Sequence, residues 1–216
     1  MPFRDRIDAA RRLARKLGRY AGERPVVLAV PRGAVPMGEA IARELGGELD
    51  VVLVRKLGAP FNPEFAVGSI GEDGWSYIAD HAAEAGADAA YIEKEKREQL
   101  ELLKRRRASY TPGRGPIPLA GRVAIVVDDG LATGATMLAA LHGVAARKPR
   151  RIVCAVPVAS REALEAVKRH ADEVVCLEAP EDFHAVGQFY EDFPQVGDAE
   201  VALILGGASA AMEPST

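Results

Sequence analysis

Residues 123–137, reading VAIVVDDGLATGATM, constrain the fold of this chain more than any other stretch. The apolar run of Val123, Ile125, Val126 and Val127 predicts a strand buried on both faces, and it leads straight into Asp128 and Asp129. Gly130, Leu131, Ala132, Thr133 and Gly134 follow as a loop of small residues. Thr136 then opens a helical period carried by Met137, Leu138, Leu141, Val144 and Ala145 and closed near Arg147 and Lys148. A helix N-terminus offers unpaired N–H groups and partial positive charge, glycines let an anion approach the backbone, and the Thr133 and Thr136 hydroxyls add donors. The run Gly130, Leu131, Ala132, Thr133, Gly134, Ala135 and Thr136 therefore suits a phosphate. Two carboxylates would be repelled by that phosphate at contact, but at a sugar's distance they accept hydrogen bonds from vicinal hydroxyls. Together the parts suit a ribose 5-phosphate. The plain alternative is an ordinary strand-to-helix turn with chance acids and glycines. The two commoner phosphate loops, GxxxxGK followed by Ser or Thr and GxGxxG after this strand, are not present.

The rest of the chain alternates strand and helix signals. Ile7, Ala10, Leu13, Ala14 and Leu17 recur at helical spacing, so the chain opens with an amphipathic helix whose arginines are expected to face water. Residues 26–30 read as a short strand stopping at Pro31, Arg32 and Gly33, residues 35–45 as a helix, and residues 50–56 (DVVLVRK) as a second buried strand. Residues 151–157 and 173–177 supply further strands around a helix at 161–169 with Ser160 as its N-cap. The expected fold is α/β, a Rossmann-like doubly wound parallel sheet within a single domain of residues 1–216. In such sheets ligands bind beyond the carboxyl ends of the strands. Those ends carry Arg32, then Arg55 and Lys56, then the acid pair, although Arg55 and Lys56 also read as an ordinary solvated strand end.

The run VVDDGLATGAT resembles the phosphoribosyl pyrophosphate (PRPP) motif of type I phosphoribosyltransferases: a hydrophobic run, two acids, and a small loop ending TGxT. The resemblance covers roughly residues 25–178 and implies that Asp128 and Asp129 are the catalytic acids. It implies that the loop from Gly130 to Thr136 holds the 5-phosphate, with magnesium travelling with PRPP. It also places Arg32, Gly33 and Ala34 of PRGAVP on the pyrophosphate, often across an unusual peptide bond in that family, with Arg55 and Lys56 as its basic residues there. Members that use 6-oxopurines are similar to one another in having an acid just before the TG; here Ala132 stands there, which lowers hypoxanthine, guanine and xanthine as acceptors.

Residues 57–122 are too long for a plain loop and are expected to be an insertion with its own structure. Residues 57–63 are turn-rich, residues 65–70 and 75–78 read as a hairpin joined at GEDG, and part of residues 58–76 is the expected flap, which in the resembled family closes over the reacting centre. A charged helix is expected over 87–107, with Glu93/Arg97 and Glu101/Arg105 pairs and an apolar seam of Tyr91, Leu100 and Leu103. Its basic end, 104–107, reads as a solvated helix face or as a nucleic-acid contact. Residues 179–197 form the expected hood over the acceptor. There Phe183, His184 and Tyr190 are the candidate acceptor contacts, though such aromatics also serve as packing. Asp198 and residues 201–205 suggest a short closing helix, and residues 208–216 a frayed tail.

The chain has 216 residues, 48% of them hydrophobic and 27% charged, which fits an ordinary globular domain. A net charge of -3 and a pI near 5.9 supply no global basic field, so nucleic acid is not the expected partner. Cys154 and Cys176 form no CxxC and read as reduced thiols of a cytoplasmic protein, and no leader or membrane-length apolar run is visible. His81, His142, His170 and His184 lack metal-ligand spacing, so no protein-held metal is expected. The expected activity is transfer of the phosphoribosyl group from PRPP to a nitrogen nucleophile, a nucleobase, by a homodimer. The alternative is a non-catalytic PRPP or nucleotide sensor of the same fold.

Overall fold

A computed structural model describes residues 2–210. In chain order the main elements are α1 (Arg6–Lys16), β1 (Val26–Ala29), α2 (Val35–Leu45), β2 (Glu48–Val51), β3 (Val54–Ala59), β4 (Asn62–Gly71), β5 (Ser76–Ile78) and α3 (Ala89–Tyr110). They continue with β6 (Val123–Val127), α4 (Ala135–Ala146), β7 (Arg151–Val158), α5 (Arg161–Val167), β8 (Glu173–Glu178) and α6 (Asp198–Ala210). Residues 211–216, most of the expected frayed tail, lie outside the described residues.

Five strands form a parallel sheet in the order β2-β1-β6-β7-β8. Every residue of β1 and of β6 is buried, as a strand covered on both faces requires. Alternate residues point to opposite sides: Val27, Ala29, Ile125 and Val127 pack with α1, α2 and α6, whereas Val26, Leu28, Ala124 and Val126 pack with α4 and α5. This is the doubly wound α/β sheet expected from the sequence. The register Ala29↔Val127 brings β1 and β6 to the same level, so the loops that follow them emerge side by side.

The expected strand over 50–56 is in fact two strands. β2 ends at Val51, and after Val52 and Leu53 the chain leaves the parallel sheet and takes β4 as its new partner, Val54 opposite Gly71. Apolar continuity hid the break, because a run buried first in one sheet and then in another stays apolar throughout. Arg55 and Lys56 therefore belong to an antiparallel sheet, β3-β4-β5, and not to the tip of β2. The GEDG hairpin is present, with Ile70 opposite Ser76. The turn-rich 57–63 segment is a second hairpin whose tip is Pro60 and Phe61, between Ala59 and Asn62.

α3 runs from Ala89 to Tyr110, three residues beyond the expected end at 107, and its surface ion pairs include Lys96–Glu93 and Lys104–Glu101 at i,i+3 and Lys94–Glu98 at i,i+4. Arg107, expected on a solvated basic face, is buried. Its guanidinium donates to Asp50 Oδ1 at 2.6 Å, to Glu72 Oε2 at 2.6 Å and to the Val51 carbonyl at 3.0 Å. Asp50 has no exposed surface and accepts a further bond from the Ile117 N–H at 2.8 Å. One cation thus ties the inserted helix to the parallel sheet and to the β4–β5 turn.

Residues 179–197, the segment expected as the hood, pack with the N-terminal arm. Beyond β8 a short 3₁₀ helix, Val186–Phe189, is paired with the N-terminal arm: the Phe3 N–H donates to the Phe189 carbonyl at 2.7 Å, and the Glu191 N–H to the Phe3 carbonyl at 2.9 Å. Cys154 and Cys176 are unpaired, and burial pushes both thiols up from their usual range.

Candidate active site

Asp128 and Asp129 sit at the carboxyl end of β6, both half-buried. Burial, then the neighbouring Asp129 carboxylate, raises the Asp128 carboxyl well above its ordinary 3.8. The Asp129 N–H donates to Asp128 Oδ1 at 2.9 Å. Asp129 is also raised by burial, against the pull of Arg6. The Arg6 guanidinium donates from Nε at 3.0 Å and approaches from Nη2 at 2.9 Å, both to Oδ2 of Asp129. The expectation that the arginines of α1 face water therefore fails at Arg6, whose side chain is 11% exposed. Helical periodicity could not flag it, since Arg6 lies in the first turn beside the hood and off the apolar stripe.

The loop after β1 closes the other side of the acids. The Pro31–Arg32 peptide is cis. A Cβ at Gly33 would lie 2.1 Å from Asp129 Oδ2, so only glycine lets this loop lie against the acid. The Arg32 guanidinium extends to Asp198 Oδ2 at 3.3 Å, and Asp198 also accepts from the Tyr110 hydroxyl. Ala34 is buried at the start of α2.

Gly130 to Thr136 forms the loop expected between β6 and α4. It is fixed at its base: the Leu131 N–H donates to the Val158 carbonyl at 2.9 Å, and Ser160 donates from its N–H to the Leu131 carbonyl at 2.9 Å and from Oγ to the Ala132 carbonyl at 2.7 Å. Gly134 enters α4 with φ +75°, a left-handed cap that Ala or Thr would strain. Thr133, Ala135 and Thr136 are exposed at the tip. A cavity of about 190 Å³ is lined by this loop together with Asp128, Met137 and Val186. The helix start, the small residues and the threonine hydroxyls give that cavity the character of an anion site.

Arg55 and Lys56 reach the same loop from its far side. They line a cavity of about 440 Å³ with Arg106, Tyr91, Gln99 and Thr136. Thr136 is common to both cavities, so the basic residues of β3 adjoin the phosphate-type loop although they do not stand at a parallel strand end. Arg106, read from the sequence as part of a solvated basic run, faces this cavity; a helix of alternating Glu, Lys and Arg gives no periodic signal that would single it out.

In the hood, Phe183 packs on Phe189 with ring centroids 5.3 Å apart. Tyr190 is buried between Phe193 and Phe3, at 4.6 and 5.4 Å, and its hydroxyl donates to the Asp129 carbonyl at 2.6 Å. Its ring and hydroxyl are both engaged within the protein, so it braces the acid pair from below. His184 lies at the surface, 2.8 Å from Asp182. The structure brings Asp128, Asp129, Gly33, Tyr190 and the 130–136 loop together and leaves His184 outside that group. Among the described residues no cluster of three or more His, Cys, Asp or Glu side chains could hold a metal ion.

The family model for the phosphoribosyl transferase domain matches residues 4–194. Curated relatives in two strains of Mycobacterium tuberculosis, each named provisionally as a phosphoribosyl transferase, are 46% identical over 204 residues, which is 94% of this chain and 46% of theirs. The chain thus spans about half the length of the curated relatives it matches. The crystal structure of TT1426 from Thermus thermophilus superposes with a TM-score of 0.85 at 50% identity, over 95% of this chain and 98% of that one.

Proposed function

The chain belongs to the phosphoribosyl transferase domain family, and from that premise we propose that it transfers the 5-phosphoribosyl group of PRPP to a nitrogen nucleophile, a nucleobase, with release of pyrophosphate. One observation carries the reading: two adjacent, half-buried carboxylates lie between a helix-capping small-residue loop on one side and the Gly33 loop on the other. That order would seat a 5-phosphate, a ribose and a pyrophosphate in turn.

In the proposed reaction the bond from the anomeric carbon to the pyrophosphate oxygen breaks, the bond to the acceptor nitrogen forms, and the nitrogen gives up its proton. The sugar passes through a state of cationic character, so the protein contributes mainly position and charge. The loop from Gly130 to Thr136 anchors the 5-phosphate. Asp128 and Asp129 accept from the ribose hydroxyls and place negative charge beside the developing cation. Arg32, with the Gly33 and Ala34 backbone, would receive charge on the leaving group, whereas Arg55, Lys56 and Arg106 adjoin the 5-phosphate loop through Thr136 and would add positive charge on that side. Magnesium bound to the pyrophosphate would screen its charge during departure. Hood residues 179–197 would cover the base, and the absence of an acid at Ala132 argues against 6-oxopurines.

The test is a panel of nucleobases incubated with PRPP and magnesium, following pyrophosphate release. The protein is expected to turn over at least one base, and the double variant Asp128→Asn with Asp129→Asn to fold yet lose that turnover. A double variant with an unchanged rate would refute the site. Tight PRPP binding without release for any base would instead favour a sensor.

A further inference from the structure

The N-terminal arm supplies a residue that the reaction just described does not use directly. Besides the Phe3 bonds to the hood, the Asp192 N–H donates to the Arg4 carbonyl at 2.9 Å. Asp5 then caps α1, accepting from the Asp8 N–H at 2.7 Å, so Arg6 is the first residue of a helix whose start is fixed. Each part of its guanidinium is occupied. Nη1 donates to the Pro194 carbonyl at 2.6 Å, the plane lies 3.7 Å from the centroid of the Phe193 ring, and Nε and Nη2 both meet Oδ2 of Asp129. Phe193 stacks on Tyr190, and Tyr190 holds the Asp129 carbonyl. The hood therefore grips Asp129 twice, through its side chain and through its backbone.

We propose that Arg6 is a positioning residue: it holds Asp129 by one carboxylate oxygen, turns the other toward the pentose hydroxyls, and makes that orientation depend on the hood being packed in place. The ligand half of this statement rests on the PRPP reading; the grip itself does not. The titratable and charged groups around the Asp129 carboxylate are Asp128 from the same strand end, Arg6 from α1 and Tyr190, whose hydroxyl donates to the Asp129 backbone carbonyl; the Gly33 loop lies against the same carboxylate without a charge of its own. Two adjacent, half-buried acids favour a shared proton, and a fixed guanidinium opposes it at Asp129. Lysine can restore the charge but not the planar fork or the stacking on Phe193. A shift of the hood on binding a base would thus be felt at the acid that holds the sugar.

The experiment compares wild type with Arg6→Gln and Arg6→Lys. Carboxyl titration by ¹³C NMR on aspartate-labelled protein follows the acid pair, calorimetry with magnesium and PRPP follows the ligand, and thermal melting follows the fold. In Arg6→Gln the midpoints of the pair are expected to rise, and PRPP affinity to fall by about ten- to a hundredfold, as loss of a charged hydrogen-bond partner implies. Arg6→Lys is expected to return the midpoints toward wild type while recovering only part of the affinity. If Arg6→Gln lowers the melting temperature but leaves midpoints and affinity unchanged, Arg6 is merely structural and the proposal is overturned. If Arg6→Gln does not fold, Arg6→Lys decides: wild-type affinity overturns the need for a fork, and reduced affinity with near-normal midpoints supports it. A wild type that binds no PRPP would remove the ligand half, while a shift of the pair's midpoints in Arg6→Gln would still support the grip.

Discussion

At the tip of β6, Asp128 is held where it opposes the fold it belongs to. Its carboxyl is raised by burial and by Asp129 above the ordinary 3.8 that it regains on unfolding. Between those two values the native protein binds more protons than the unfolded chain, so stability falls as pH rises through that window and stays reduced at neutral pH. Asp128→Asn keeps an oxygen that can accept from the Asp129 N–H and removes the buried charge. It is therefore expected to melt higher than wild type at neutral pH, to lose that advantage below pH 3.8, and to lower turnover by about a hundred- to a thousandfold. Melting curves across a pH series decide this; a lower melting point at neutral pH would contradict the sign. Gly33 makes the complementary case, a residue whose lack of a side chain is what the site needs. In Gly33→Ala the new Cβ cannot remain 2.1 Å from Asp129 Oδ2, so the acid must shift. With the placement of the sugar lost, turnover is expected to fall by about a hundredfold. Turnover equal to wild type would mean that Asp129 does not need its observed position.

At the scale of elements, what could be read from the sequence was what local chemistry decides. β6, its acids and α4 follow from a buried run, a small-residue loop and a helical period, and α2 has the expected bounds because a proline in its first turn and glycines beyond its end mark them. The partition of 50–59 between two sheets was hidden, because the apolar run 51–54 crosses the break and strand pairing is a long-range choice. Hidden for the same reason were Arg6 and Arg107, arginines whose partners lie far along the chain: Asp129 for Arg6, and Asp50 and Glu72 for Arg107. The Arg107 network makes a prediction about how the insertion is attached. Arg107→Met removes the close cation from Asp50, and Arg114, 3.8 Å from Asp50 Oδ1, is too far to replace the bond. The buried, uncompensated charge is expected to cost about 3–5 kcal/mol. Adding Asp50→Asn and Glu72→Gln should recover part of that cost, because the orphaned charges leave with their partner. Urea unfolding gives the energies, and hydrogen exchange should show β3–β5 opening before the parallel sheet. A loss near zero would mean that the insertion is held by its apolar contacts alone.

The whole molecule places its site by topology. The helix after β1 goes to one face of the sheet and the helix after β6 to the other, so adjacent strands part company at their carboxyl ends and leave a crevice there. The Gly33 loop and the acid pair line that crevice, and the inserted sheet and residues 179–197 with the N-terminal arm border it. This arrangement was readable in outline, since alternating strand and helix signals imply it. The pairing of the N-terminal arm with residues 179–197 was not, because one bridge between Phe3 and Tyr190 leaves no period in the sequence. A ligand spanning loop, acids and cations would tie together segments from Arg6 to Thr136, and so should stabilise the whole fold rather than one element. Magnesium with PRPP at about a hundred times its dissociation constant adds about 2.7 kcal/mol by linkage. For a chain of this length that corresponds to a rise in melting temperature of about 5–10 °C. The rise should shrink when magnesium is chelated, and shrink again in Asp128→Asn even though that variant starts from a higher melting point. The opposed signs matter, because a substitution that merely rigidified the protein would raise the baseline without reducing the response. A wild-type melting curve that PRPP and magnesium leave in place would count against the ribose-phosphate site itself, whatever the acceptor.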